Sequence, residues 1–150
     1  MTTSSSRKVT TAARYVQGAA FLLFGLNGFF HFLPQPPAPA AATSFAGALF
    51  ATGYMFPLIK GTEVLTAVLL LSNRYVPLAL ALIAPVIVNI LAFHAFLAPA
   101  GLALPLVLLT TELVLAYGYR EAFAPMLRAH VEPSENRNPT LIGGPKHAMA

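Results

Sequence analysis

The sequence predicts an all-α protein, an integral membrane four-helix bundle with its N and C termini in the cytoplasm. Three observations carry that prediction. Of the 150 residues, 57% are hydrophobic and only 9% charged, with a mean hydropathy of +0.69, whereas soluble domains carry about a quarter charged residues. Four apolar segments, at about 14–33, 54–72, 76–97 and 102–119, each approach the ~20 residues that a helix needs to cross ~30 Å of hydrocarbon. The basic residues are distributed asymmetrically: Arg7, Lys8 and Arg14 precede or open the first segment, Arg74 separates the second from the third, and Arg120, Arg128, Arg137 and Lys146 follow the fourth. The connections 34–53 and 98–101 hold no charge of either sign. An excess of Lys and Arg marks the cytoplasmic side, so both ends and the 73–75 turn belong there.

Each element follows from this frame. Residues 1–13 form a basic, Ser/Thr-rich cytoplasmic tail. The first span, RYVQGAAFLLFGLNGFFHF, with the PAPAAA run after it, imitates a secretory signal. Its length, with Asn27 and His31 inside it, favours an uncleaved span over the ~7–15-residue core of a signal peptide. The connection PQPPAPAAATSFAGALFATG starts as a stiff proline-rich stretch and continues as a short helix with Phe45 and Leu49 four apart, placed to lie over the outer surface. Pro57, Pro77 and Pro105 fall near the starts of the second, third and fourth spans, where a missing N–H is least costly. Pro85 lies inside the third span and removes the hydrogen bond to the Ala81 carbonyl, which predicts a kink. From Glu121 to residue 150 the chain becomes poor in large apolar groups and reads as a mostly disordered cytoplasmic tail.

Several chemistries are excluded at this level. The chain has no cysteine, which removes disulfides, thiolate ligands and thiol redox relays. Its net charge of +4 does not indicate nucleic acid, because the basic residues form no compact patch interleaved with aromatics. The histidines and glutamates lack any close metal-ligand spacing, and no haem-ligating histidine pair stands at matched depth.

The polar residues inside the spans are the candidates for function. At ~1.5 Å per residue, Asn27 and His31 lie about 5 Å and 11 Å outward of the first span's midpoint, and Lys60 about 5 Å outward of Glu63. Glu63 and Glu112 fall near the midplane, and Asn89 and His94 in the outer half of the third span. Lys60 with Glu63, and Asn27 with His31, share helix faces at spacings of three and four. Since an ionised group at the bilayer centre costs roughly 2.5–3.5 kcal/mol, these side chains should turn inward and find partners. The expectation is one polar layer comprising Glu63, Lys60, Glu112, His31, Asn27, Asn89 and His94, in a pocket open outward and sealed toward the cytoplasm. Each residue also has a plainer reading, which for Glu63 and Glu112 is structural pairing. Lys60 snorkels to the interface, His31 and His94 pack at the outer boundary, and Asn27 and Asn89 glue helices together.

The segments RYVQGAAFLLFGLNGFFHF, GYMFPLIKGTEVLTAVLLL and NRYVPLALALIAPVIVNILAFHAFL resemble successive helices of the DoxX family of small bacterial membrane proteins. The resemblance covers roughly residues 12 to 125. Its motifs are the FGLNGFF end of the first span, the GTE element at Gly61–Glu63 and the histidine of FHAFL, His94. It implies a compact four-helix bundle in the bacterial cytoplasmic (inner) membrane, associated with membrane oxidoreductase subunits and quinone-linked redox systems. Three functional readings stand open. The first is an accessory or quinone-interacting subunit of a membrane redox system, with Phe24, Phe29, Phe30, Phe56 and Phe93 lining the pocket. The second is a small proton-linked carrier, with homo-oligomerisation compensating for its size, and the third is a non-catalytic scaffold.

Overall fold

The computed structural model describes residues 3–34 and 37–131, so most of the expected C-terminal tail lies outside the described residues. Among the described residues the chain is entirely helical: α1 (Thr3–Phe30), α2 (Ala40–Ala51), α3 (Met55–Leu71), α4 (Val76–Phe96), α5 (Ala103–Gly118) and the short α6 (Arg120–Phe123), with 3-10 turns at Pro99–Gly101 and Ala124–Leu127. Four of these helices pack in a ring, α1 against α3 and α5, and α4 against α3 and α5. Gly18 lies against Leu70 and Leu71, and Gly25 against Glu63 and Val64, so α1 and α3 run antiparallel. Gly118 meets Thr10 and Glu112 meets Gln17, which makes α1 and α5 antiparallel as well.

The helices differ from the expected spans in length. α1 starts at Thr3, well inside the expected tail, and runs for 28 residues, because nothing between Thr3 and Arg14 breaks a helix and Thr10 packs on Gly118. α3 and α5 have 17 and 16 residues. α4, with 21, is long and apolar enough by itself to cross a membrane, while α2 and α3 pass that test only together, across a 92° bend. The bend is local chemistry: Gly53 takes a φ of 75°, a conformation in which a Cβ is disfavoured, and the Thr52 hydroxyl accepts the Met55 N–H at 3.0 Å. α4 runs unbroken through Pro85.

The core is built in layers. At the end holding the start of α1 and the 72–75 turn, Ala13, Leu70, Val76, Ala79, Leu80 and Leu115 are buried together. Further along, Phe21, Ala67, Ile83, Ile87 and Leu108 form a second apolar layer. Outside this narrow core, large aliphatic side chains are exposed on every long helix, among them Val16 and Leu23 on α1, Leu65 and Val68 on α3, Leu78 and Val88 on α4, and Val107 and Leu113 on α5.

Candidate functional site

The buried polar groups fall at two levels. The first lies between the apolar layers, where Gln17 of α1, fully buried, donates its amide to Glu112 Oε2 of α5 at 2.5 Å. Position 17 stands between the core residues Ala13 and Phe21, and position 112 between Leu115 and Leu108, so the pair is clamped by hydrocarbon above and below. The second level lies beyond the Phe21 layer, where Lys60 Nζ reaches the two Glu63 oxygens at 3.0 and 2.9 Å. Glu63 is 1% exposed. The lysine stem crosses α1 at Gly28, where an added Cβ would come within 2.5 Å of Lys60 Cγ and Cδ, and its ammonium lies 5.8 Å from the Phe56 ring centroid.

The single polar layer expected from the sequence is therefore divided in two. On α1, Gln17 and the Gly25–Gly28 contact with Glu63 and Lys60 are 8 to 11 residues apart, about 12–16 Å along the axis. The physical reason is register. Midplane depths counted from span ends assume that all helices start at one level, whereas α5 packs deeper against α1 than α3 does.

The remaining candidates lie elsewhere. Asn27 is buried, but its Oδ1 accepts the Leu33 N–H at 2.6 Å and so closes the end of α1. His31 follows α1 with a left-handed φ of 52° and an exposed side chain. The His94 imidazole donates to the Ile90 carbonyl at 2.8 Å on its own helix and packs on Gly101. Asn89 is exposed on the outer face of α4. Among the described residues no group of three or more His, Asp or Glu side chains is placed to hold a metal ion.

Two polar residues of the site escaped sequence reasoning. Gln17 is one, and its Oε1 has no partner among the described residues, as is also true of the buried Thr66 hydroxyl. Arg14 is the other: it is buried, Nη1 donates to the Leu70 carbonyl and reaches that of Leu71 at 3.4 Å, and the guanidinium stacks on Tyr15. It thus satisfies the last carbonyls of α3, which a helix cannot satisfy internally. The signal was present in the sequence as two hydrogen-bonding residues, Arg14 and Gln17, three apart on one face of an apolar stretch.

Glu112 also borders an open groove of about 390 Å³ between α4 and α5, lined by Leu80, Ala81, Ala84 and Ala116, with Arg120, Phe123 and Leu127 at its mouth. Its lining is apolar apart from the Glu112 carboxylate and the Arg120 guanidinium. The groove opens at the end of the ring that carries Arg14, Arg74 and Arg120, opposite to the outward opening expected for the pocket. No protein-family model, curated protein or solved structure matches the chain.

Proposed function

We propose that the chain is a multi-pass protein of the bacterial inner membrane, a DoxX-type four-helix bundle, serving as an accessory, quinone-interacting subunit of a membrane redox system. The bilayer reading is supported by the exposed aliphatic side chains on all four long helices, a surface that water would penalise and acyl chains would not. Exposed phenylalanines, Phe29, Phe30, Phe32 and Phe50, gather at the charge-free end, and exposed Tyr15, Tyr75 and Tyr117 at the arginine-rich end. This is the arrangement of interfacial aromatics and cytoplasmic cations.

The observation that carries the ligand reading is the groove to Glu112. Its lining is mostly apolar with two polar groups, the composition of small-molecule sites. Gln17 holds one oxygen of Glu112, and the other would accept a hydrogen bond from a phenolic hydroxyl bound in the groove. A bound quinol would release two electrons and two protons on oxidation, and the chain's own part is to bind the ring and take up one proton at Glu112, the second passing to solvent at the open mouth of the groove. Electrons would pass to another subunit. The apolar layer of Phe21, Ala67, Ile83, Ile87 and Leu108 separates the two polar pairs, so the Glu112 level does not extend to Lys60 and Glu63. The closed Lys60–Glu63 pair favours a structural role at that level.

The test is quinone content and binding. Protein purified with native lipid should retain quinone by mass spectrometry, and Ala116→Phe, which fills the groove, should lower that content at least tenfold while leaving the fold intact. Wild-type protein that retains none and binds no short-chain quinone analogue would overturn the ligand reading.

A further inference from the structure

The hydroxyls along the middle of α3 and α5 contrast with one carboxamide on α4. Thr62, Thr110 and Thr111 each return their hydroxyl to the carbonyl of the preceding turn, at 2.9, 2.7 and 3.0 Å, so none presents an unused donor to its surroundings. Asn89 is exposed on α4, and its carboxamide makes no such back-bond. It makes no hydrogen bond to another described side chain or carbonyl, although it stands only three residues, about 5 Å, past the centre of Val76–Phe96.

The residues around it form a seam. Leu78, Leu82, Pro85, Asn89, Ala92 and Phe96 repeat at alternating spacings of four and three along the side of α4 opposite the buried Ala79, Leu80, Ile83 and Ile87. That is the spacing by which two helices mesh at a shallow left-handed crossing, and a lone asparagine in such a seam sets register.

We infer that this face of α4 is the contact with a second copy of the same chain, joined by a reciprocal Asn89–Asn89 hydrogen-bonded pair. The inference rests on the membrane reading above. Two copies inserted in the same orientation are related by a two-fold axis along the membrane normal, so α4 meets α4 in parallel and each residue meets its own counterpart at the same depth. A carboxamide suits such a meeting because it carries both a donor and an acceptor, and two of them satisfy each other. Hydrocarbon offers the group nothing comparable.

The chain has no native cysteine, so single cysteines report the contact directly. In native membranes under mild oxidation, Leu82→Cys and Phe96→Cys should cross-link into dimers, and Leu113→Cys, exposed on α5, should not. Energy transfer between labelled copies in vesicles should persist on lipid dilution for the wild type. In Asn89→Leu it should be lost at roughly tenfold lower dilution, and Asn89→Gln should recover most of it. Equal cross-linking from Leu113→Cys, an Asn89→Leu variant indistinguishable from wild type, or carbonate-resistant protein that is monomeric at every dilution would overturn the inference alone. Release of the protein from membranes by carbonate would overturn the membrane reading and this inference with it.

Discussion

Lys60 and Glu63 form a two-point ion pair within one turn of α3, with Nζ 3.0 and 2.9 Å from the two carboxylate oxygens, beneath the glycine face of α1. The carboxylate is almost wholly buried and the lysine side chain retains 19% exposure, so the two partners are unequal. Removing one charge should hurt more than removing both, because a buried unpaired ion keeps its desolvation penalty without its attraction. Lys60→Met should destabilise the protein by about 3 kcal/mol in detergent unfolding, and Lys60→Met combined with Glu63→Leu should recover most of that loss. A double variant as unstable as the sum of the single ones would show that the pair is not coupled.

Arg14 gives a second prediction. Its guanidinium serves the Leu70 and Leu71 carbonyls from a neighbouring helix, a role that needs a planar, permanently charged donor. Arg14→Met should cost about 1.5–3 kcal/mol, the usual worth of a hydrogen bond to a charged group, with the last turn of α3 fraying first. Hydrogen exchange at residues 68–74 is the measurement, and Arg14→Lys should restore only part of the protection.

Two glycines should respond to alanine with opposite signs. At Gly25 a Cβ would meet Val64 Cγ2 at 2.9 Å and the Val64 backbone nitrogen at 3.2 Å, so α1 and α3 must separate, whereas at Gly61 nothing lies within 4 Å. Gly25→Ala should destabilise by about 1–3 kcal/mol, and Gly61→Ala should be neutral or stabilise by up to about 1 kcal/mol through helix propensity. Thermal unfolding of the two variants side by side checks the sign.

Much of this was legible in the sequence where the relation was local, and little of it where two helices had to meet. The Lys60–Glu63 contact follows from a spacing of three on one helix, and the short helix after the proline run follows from Phe45 and Leu49. The level of Glu112 does not, because nothing within α5 states which turn of α1 it faces, and Gln17, its actual partner, carried no charge to draw attention. The charge of Arg14 marks topology by itself, whereas its burial depends on the end of α3 that packs over it. The exposure of Asn89 depends on which face of α4 the ring leaves uncovered, and α4 is apolar all round, so its own sequence does not distinguish the faces.

Orientation is testable with the same cysteine-free background. Arg74 lies in the α3–α4 turn at the arginine-rich end and Thr43 on α2 at the charge-free end. In intact cells stripped of their outer membrane, a membrane-impermeant maleimide should label Thr43→Cys and leave Arg74→Cys unmodified until lysis. The reverse pattern would invert the topology and place the mouth of the Glu112 groove outside.

Gln17 and Glu112 allow stability and ligand binding to be separated. The amide is the one described donor to that carboxylate, and both side chains are enclosed between the Leu115 and Leu108 levels of the core. Gln17→Leu should therefore destabilise the protein by about 1–3 kcal/mol, the penalty for a buried acceptor left without its partner. Adding Glu112→Leu removes the orphaned acceptor and should return stability to near the wild-type level, since two apolar groups of similar shape replace two polar ones. Quinone retention should behave differently, falling in Gln17→Leu as the carboxylate loses its fixed orientation and staying lost in the double variant, which has no acceptor at all. If retention recovered together with stability, the groove would be binding its ligand through shape alone, and Glu112 would have no part in recognition.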